Sequence, residues 1–109
     1  MGKAVTHEIR LSCYFADAVY EGRKTFELRR NDRGYQTGDR IRFKVVKHGA
    51  AGEEMFPEHP ICGIEYEITY MLSGWGLNND IVAMAIRPVD GKAQGETEEN
   101  EEPGTDPGE

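Results

Sequence analysis

The sequence predicts an α+β fold, a small and partly closed β-barrel of about five strands with one short N-terminal helix. The chain has 109 residues, enough for one compact domain but not for two well-packed cores. Short segments of alternating apolar and polar residues, separated by Gly, Asn, Asp and Pro, are typical of strands joined by turns. One early segment changes to helical spacing, which adds the helix.

The first strand and the helix follow one another directly. The segment HEIRLS alternates, with His7, Ile9 and Leu11 predicted to face inward. The next segment, SCYFADAVYEG, predicts a helix of two to three turns. Its apolar positions i, i+3 and i+4 are Phe15, Ala18 and Val19. Its expected N-cap is Ser12 and its expected C′ residue is Gly22.

Two strands follow the helix. KTFELRR alternates, which predicts that Phe26 and Leu28 face inward and that Glu27 and Arg29 face outward. NDRGYQTGD has the composition of a turn. DRIRFKVVK alternates again, and its three predicted inward residues are Ile41, Phe43 and Val45.

The second half of the domain contributes two more strands. Residues 48–60 are expected to form a long irregular loop. CGIEYEITYML predicts a strand whose inward residues include Tyr66 and Tyr70 and whose outward residues include Glu65 and Glu67. DIVAMAI is apolar on both faces, which predicts a strand buried on both sides.

Charge divides the chain into a domain, residues 1–87, and an acidic tail, residues 88–109. The tail holds eight acids and one base, so it alone carries the whole net charge of −7, and the domain balances 12 bases against 12 acids. The tail lacks large apolar residues, which predicts disorder. It is expected to act as a solubilising extension or as an electrostatic competitor for the basic segment, which has nine bases and three acids over residues 23–47.

The basic segment contains the candidate binding residues. Glu27 and Arg29 share one face of their predicted strand, and Lys24 lies at its entry. A carboxylate accepts from the amines of bases and a guanidinium donates to carbonyl or phosphate oxygens, so these residues suit a nucleotide ligand. A surface ion pair is the alternative.

The other cations of the basic segment and Trp75 are further candidates for ligand contact. Arg30 and Arg33, together with Arg29, are the expected phosphate contacts. The group Arg40, Arg42 and Lys44 is expected either to pair across strands with Glu65 and Glu67 or to contact phosphate. Trp75, between two glycines, is expected either to stack on a base or to cover the open end of the barrel.

Other classes of site find little support in the sequence. His7, His48 and His59 share no ligand spacing with each other or with Cys13 and Cys62, so neither a metal nor a cofactor is expected. The sequence contains no apolar run of membrane-spanning length and no signal-peptide pattern. We therefore expect a cytoplasmic, monomeric protein without a membrane partner.

The stretch GRKTFELR, followed by a GD turn into the next strand, resembles ASCH domains of the PUA-like superfamily. With HEIRL, YFADAVYEGRKTFELRRNDRGYQTGD and GL…DIVAMAI, the resemblance extends over residues 6–87, to a small bacterial and phage family of uncharacterised ASCH/PUA-like domains. It implies a pseudo-barrel with a cleft beside the first helix and the following strand. It also implies binding of RNA or of a modified nucleotide.

Some small bacterial ASCH proteins are amidohydrolases that remove the acetyl group from acetylcytidine with a Lys, a Thr and a later Glu. The Lys corresponds to Lys24, the Thr position is occupied by Glu27, and the later Glu has no match, although Glu65 and Glu67 lie in that half. We therefore expect a non-catalytic module that binds RNA or a nucleotide-like ligand. The alternatives are a small hydrolase of a modified nucleoside that uses Lys24 and Glu27 as acid and base, and a phage or bacterial regulator that binds another protein.

Overall fold

The structure, a computed structural model, describes residues 4–89. It has one α-helix, one 3₁₀ helix and six strands. In chain order these are β1 (Thr6–Ser12), α1 (Cys13–Tyr20), β2 (Phe26–Arg30), β3 (Arg40–Gly49), β4 (Gly52–Met55), the 3₁₀ helix (Pro60–Gly63), β5 (Glu65–Leu72) and β6 (Ile81–Pro88). The tail from residue 90 onward lies outside the described residues, and β6 ends one residue beyond the predicted domain boundary.

All six strands belong to one mixed sheet in the order β1-β3-β5-β6-β2, with β4 added to β3. The pair β1–β3 is parallel and the other pairs are antiparallel. The predicted mostly-β domain with one helix is confirmed, but the predicted barrel is wrong. No ladder joins β1 to β2, so these two strands remain edges of an open sheet.

One face of the sheet forms the core together with α1 and the 3₁₀ helix. The predicted inward residues of β1 and β3 are buried: His7, Ile9, Leu11, Ile41, Phe43 and Val45. Tyr66 and Ile68 of β5, and Val82, Met84 and Ile86 of β6, complete the same face. The alternation of β1 and β3 was therefore predicted correctly, since each has one side against an apolar interior. The prediction that β6 is buried on both sides is wrong, because only the face of Val82, Met84 and Ile86 is fully buried.

The helix begins and ends where the sequence predicts. The N–H of Tyr14 donates to Ser12 Oγ over 3.1 Å, and Gly22 takes a left-handed φ of 84° after the C-cap. The predicted inward position of Phe15 is wrong, because its side chain is 50% exposed and the buried residues are Ala16 and Val19. The helix has only about two turns, so its buried face consists of these two residues.

The predicted facing of β2 is reversed. Glu27 lies opposite Met84 and Arg29 opposite Val82, both of which are core residues of β6. Paired residues on neighbouring strands share a face, so the two charged side chains point to the core side of the sheet. Phe26 and Leu28 lie opposite Ala85 and Ala83 on the outer face, and their side chains are 46% and 53% exposed.

Two further differences lie in β4 and β5. The predicted loop 48–60 contains the end of β3 and β4, which form a hairpin. The register of β5 on β6 shifts between Ile68 and Tyr70, so Tyr70 turns outward and is 65% exposed, against the prediction. An extra residue at a β-bulge moves every later side chain to the opposite face.

The outer face carries the cross-strand ion pairs predicted for β3 and β5. Arg40 and Arg42 lie 3.2 and 3.5 Å from the two oxygens of Glu65. Glu67 pairs instead with Arg87 on β6, at 3.1 Å, and Lys44 pairs with Glu8 on β1, also at 3.1 Å. This cationic group is therefore held by acids of neighbouring strands, as the cross-strand alternative predicts.

Candidate functional site

A cleft of about 460 Å³ lies where the free edge of β2 approaches β1, the start of α1 and the β3–β4 hairpin. We call it the β1–β2 cleft. Its polar and aromatic lining comes from three places: Arg10, Ser12 and Phe15; Lys24, Glu27 and Arg29; His48 and Glu53. The resemblance to ASCH domains implies a cleft beside the first helix and the second strand.

The carboxylate of Glu27 is the centre of the cleft. The residue is only 3% exposed, and its two oxygens take different cations. Lys24 Nζ lies 2.9 Å from Oε2, and Arg29 Nε donates to Oε1 over 3.1 Å. Burial of a lone carboxylate is costly, so two cationic partners are what allow Glu27 to occupy the core face.

Lys24 is positioned by the end of α1. The N–H groups of Arg23 and Lys24 both donate to the carbonyl of Ala18, at 2.9 and 3.0 Å, which fixes the chain just before β2. The Lys24 ammonium also donates to the Phe26 carbonyl over 2.8 Å. It lies 4.8 Å from the ring centroid of Phe26 and 5.4 Å from that of Phe15, within cation–π distance of both.

Arginine side chains span the gap between the two sheet edges. The Arg40 N–H donates to the Val5 carbonyl, so alternate carbonyls of β1, including those of Glu8 and Arg10, point away from β3. Arg29 Nη2 donates to the Arg10 carbonyl, and Arg33 Nη1 donates to the Glu8 carbonyl over 2.6 Å. Guanidinium groups thus stand where a closed barrel would have a ladder.

Tyr35, His7 and Asp39 form a buried polar group near Arg33. Burial raises the pKa of Tyr35, although the charges of Arg33 and Arg29 act in the opposite direction. The Tyr35 ring packs edge-on against His7, with centroids 4.7 Å apart. His7, which faces inward as predicted, lies 2.8 Å from Asp39 Oδ2, so its buried ring has a hydrogen-bond partner.

The opposite rim of the cleft is formed by residues that the sequence analysis missed. Ser12 Oγ lies 3.0 Å from His48 Nε2, and the His48 ring stacks on Tyr14 at a centroid distance of 5.1 Å. Arg10 and Glu53 pair at 3.2 Å with both side chains well exposed. Only the parallel pairing of β1 with β3 brings these segments together, and nothing in the local pattern indicates that crossover.

The cleft gathers some of the sequence-predicted site residues and not others. Lys24, Glu27, Arg29 and Arg30 line it. Arg33 lies farther along the gap, on the Glu8 carbonyl. The Trp75 side chain is absent from the cleft lining and is 87% exposed, which rules out the alternative of a buried lid.

The cations differ in how far they are already used. Arg29 bonds to Glu27 and to a backbone carbonyl, so it is a structural cation more than a free phosphate contact. Arg30 pairs with Asp80 at 3.2 Å, but its side chain is 69% exposed and such a pair is easily replaced. Among the described residues, Arg33 bonds to a carbonyl and has no carboxylate within ion-pair distance.

The cleft combines donors, acceptors and ring surfaces. Lys24 uses two of its three N–H donors and Arg29 uses two of its five, which leaves donors for a ligand carbonyl. Each Glu27 oxygen keeps a lone pair that can accept from an amine or a hydroxyl. Phe15 and Phe26 are half exposed and offer flat apolar surface beside these groups.

Among residues 4–89, no helix has the length and apolar character needed to cross a membrane. In the same part of the chain, no three His, Cys, Asp or Glu side chains come together as ligands for a metal ion.

Comparison with known proteins gives a family but no activity. Residues 6–86 match the family model described as a domain of unknown function, DUF3850. The match covers well over half of the chain, which therefore belongs to that family. No curated protein matches the chain.

Proposed function

We propose that this DUF3850 domain binds RNA or a nucleotide-like ligand, with a base or nucleoside inserted in the β1–β2 cleft. The observation that carries the proposal is the buried Glu27 carboxylate held between Lys24 and Arg29 at the wall of a cleft with exposed aromatic rings. A cleft of about 460 Å³ is of the size that small ligands occupy. The resemblance to ASCH domains points to the same class of ligand.

The charges of the cleft decide which part of the ligand enters. A buried carboxylate repels a phosphate, so the group beside Glu27 is neutral and carries an amine or hydroxyl donor and a carbonyl acceptor. Nucleobase edges have both. Phosphates then lie outside, near the exposed cations Arg10, Arg30 and Arg33.

Binding, not acid–base catalysis by Lys24 and Glu27, is the function we propose for this pair. The ammonium donates to both the Phe26 carbonyl and Glu27, and the carboxylate accepts from two cations. Such fixed pairs orient a ligand well, but neither group is presented as a free acid or base. No observation in the described residues favours a second function.

The salt dependence of binding tests the position of the phosphates. We expect a fluorescent single-stranded RNA to bind more weakly as salt rises. Arg10→Ala, Arg30→Ala and Arg33→Ala should each lower the slope of log affinity against log salt by up to about 0.7, the single-strand value per phosphate. The measurement is a fluorescence-anisotropy titration at several salt concentrations.

Matched controls remove the same charge elsewhere. Arg40→Ala and Arg42→Ala should leave the slope unchanged, because both side chains are engaged with Glu65 on the outer face. Trp75→Ala should leave the affinity unchanged, because its ring does not line the cleft. Loss of slope in the Arg40 and Arg42 variants, with the slope kept in the Arg10 and Arg30 variants, would place the nucleic acid on another surface.

A further inference from the structure

The outer face of β2, β6 and β5 carries an exposed apolar patch, which we call the outer patch. Strand register sets its two rows: Phe26, Ala85 and Tyr70 in one, and Leu28, Ala83 and Leu72 in the other. The four large side chains are 38–65% exposed. Large apolar side chains exposed next to one another on one face of a sheet are typical of an interaction surface.

Nothing in residues 4–89 covers the outer patch. Within that part of the chain, α1 packs mainly against β1, β3 and the 3₁₀ helix, and the 3₁₀ helix packs mainly against β3 and α1. The chain beyond Val89 is DGKAQGETEENEEPGTDPGE, whose apolar side chains do not exceed alanine and proline in size. A highly acidic segment of that composition is chemically unsuited to cover phenylalanine, leucine and tyrosine.

The shape and charge of the outer patch are self-complementary. The two alanines on β6 form a shallow groove between the larger side chains of β2 and those of β5. At one end of the patch, Arg30 on β2 and Asp80 just before β6 form an exposed pair at 3.2 Å. The base Arg30 is thus on the strand with the large side chains, β2, and the acid Asp80 is beside the strand with the alanine groove, β6.

We infer that two copies of the chain pair face to face through the outer patch. A two-fold axis parallel to the strands, between β2 and β6, places the Phe26 and Leu28 ridge of each copy over the alanine groove of the other. The same rotation brings Arg30 of each copy over Asp80 of the other copy. The interface therefore contains two equivalent Arg30–Asp80 ion pairs. A symmetric dimer requires this reciprocity.

This inference departs from the monomer expected from the sequence and goes beyond the proposed function, since the pairing needs no ligand. Phe26 and Leu28 also border the β1–β2 cleft. Pairing through the outer patch therefore places the clefts of the two copies near the interface.

Sedimentation velocity of the full chain, without nucleic acid and over a wide concentration range, tests the inference. The wild type should shift from monomer to dimer as concentration rises. Leu28→Glu and Ala83→Arg should each sediment as a monomer at all concentrations, and circular dichroism should show that both variants are folded. Met55→Glu is the matched control, because Met55 is 50% exposed on β4, away from the outer patch, and this variant should still dimerise.

A charge exchange tests the orientation of the two copies. Arg30→Glu should weaken the dimer, and adding Asp80→Arg to the same chain should restore it, since every cross-copy contact again joins opposite charges. A wild type that stays monomeric at all concentrations overturns the inference. So does a dimer that survives both Leu28→Glu and Ala83→Arg. If the wild type is monomeric and Tyr70→Glu, on the outer patch but outside the cleft lining, instead weakens RNA binding, the patch binds nucleic acid and the inference is wrong.

Discussion

Replacing Asp39 with alanine is expected to lower the free energy of unfolding by about 3–5 kcal/mol, because three hydrogen-bond donors lose their acceptor, at a cost of about 1–3 kcal/mol for each one that stays unsatisfied. Asp39 is 6% exposed and accepts three hydrogen bonds, from His7 Nε2 at 2.8 Å and from the backbone N–H groups of Gln36 and Val5 at 3.1 and 3.2 Å. These bonds tie the start of β1 to the turn before β3. Chemical denaturation followed by circular dichroism measures the change.

The Asp39 prediction has a pH dependence of defined sign. Burial raises the pKa of Asp39, but the hydrogen bonds from His7, Val5 and Gln36 outweigh it and hold this pKa below its ordinary value of 3.8. The stabilisation is therefore fully present above that ordinary value and is lost as pH falls through the lower pKa of the folded state.

Asp39→Asn provides the matched control, because it keeps the size of the side chain and one acceptor oxygen. The stability difference between wild type and Asp39→Asn should be constant well above pH 3.8 and should shrink in more acidic solution. A difference that grows on acidification would show that the carboxylate is not held in its charged form by these bonds.

Replacing Glu27 with alanine is expected to cost roughly 2–3 kcal/mol of stability and to abolish binding of the ligand in the β1–β2 cleft. The variant leaves Lys24 and Arg29 without their shared partner, and both are more than two-thirds buried. Water still reaches these cations, so the cost is lower than for a fully buried pair. Thermal or chemical unfolding and a binding titration give the two quantities.

Glu27→Gln separates the two effects of that substitution. It preserves the size of the side chain but turns one acceptor into a donor that faces a cation. We expect a smaller loss of stability than for Glu27→Ala, together with a clear loss of affinity. Full stability in Glu27→Ala would mean that the carboxylate does not organise the cleft, and full affinity in both variants would remove Glu27 from the ligand site.

The strands that were read correctly from the sequence are those whose apolar residues face the core. In β1 and β3 the residues that alternate with charged ones are buried in the core: His7, Ile9, Phe43 and Val45. The alternation therefore predicted the buried face correctly. The caps of α1 were equally predictable, because Ser12 and Gly22 suit those positions for local reasons.

The reading of β2 was wrong because alternation fixes two faces but does not say which one is buried. Phe26 and Leu28 lie on the outer patch, while Glu27 and Arg29 occupy the core side, where pairing with each other offsets burial. In β5 a bulge between Ile68 and Tyr70 places Tyr70 on the outer face instead of the predicted inner one. Both differences depend on pairing with β6, which a local pattern does not contain.

The candidate site was predictable only as far as it is local. Lys24, Glu27 and Arg29 lie within six residues of one another, and the structure brings them together. Arg10 and His48 come from β1 and the end of β3, and they reach the cleft through the parallel pairing of those strands. Trp75 lies on the β5–β6 connection and does not reach it.

The most direct test of the β1–β2 cleft as a nucleotide site is chemical-shift mapping of the isotope-labelled full chain with nucleosides, modified nucleosides and short single-stranded RNAs. The expected perturbations centre on Phe15 and residues 24–29, extend to Arg10 and Arg30 for ligands with phosphates, and vanish in Glu27→Gln. Perturbations confined to Arg40, Arg42 and their neighbours, or no perturbation by any of these ligands at saturating concentration, would contradict the assignment of this cleft.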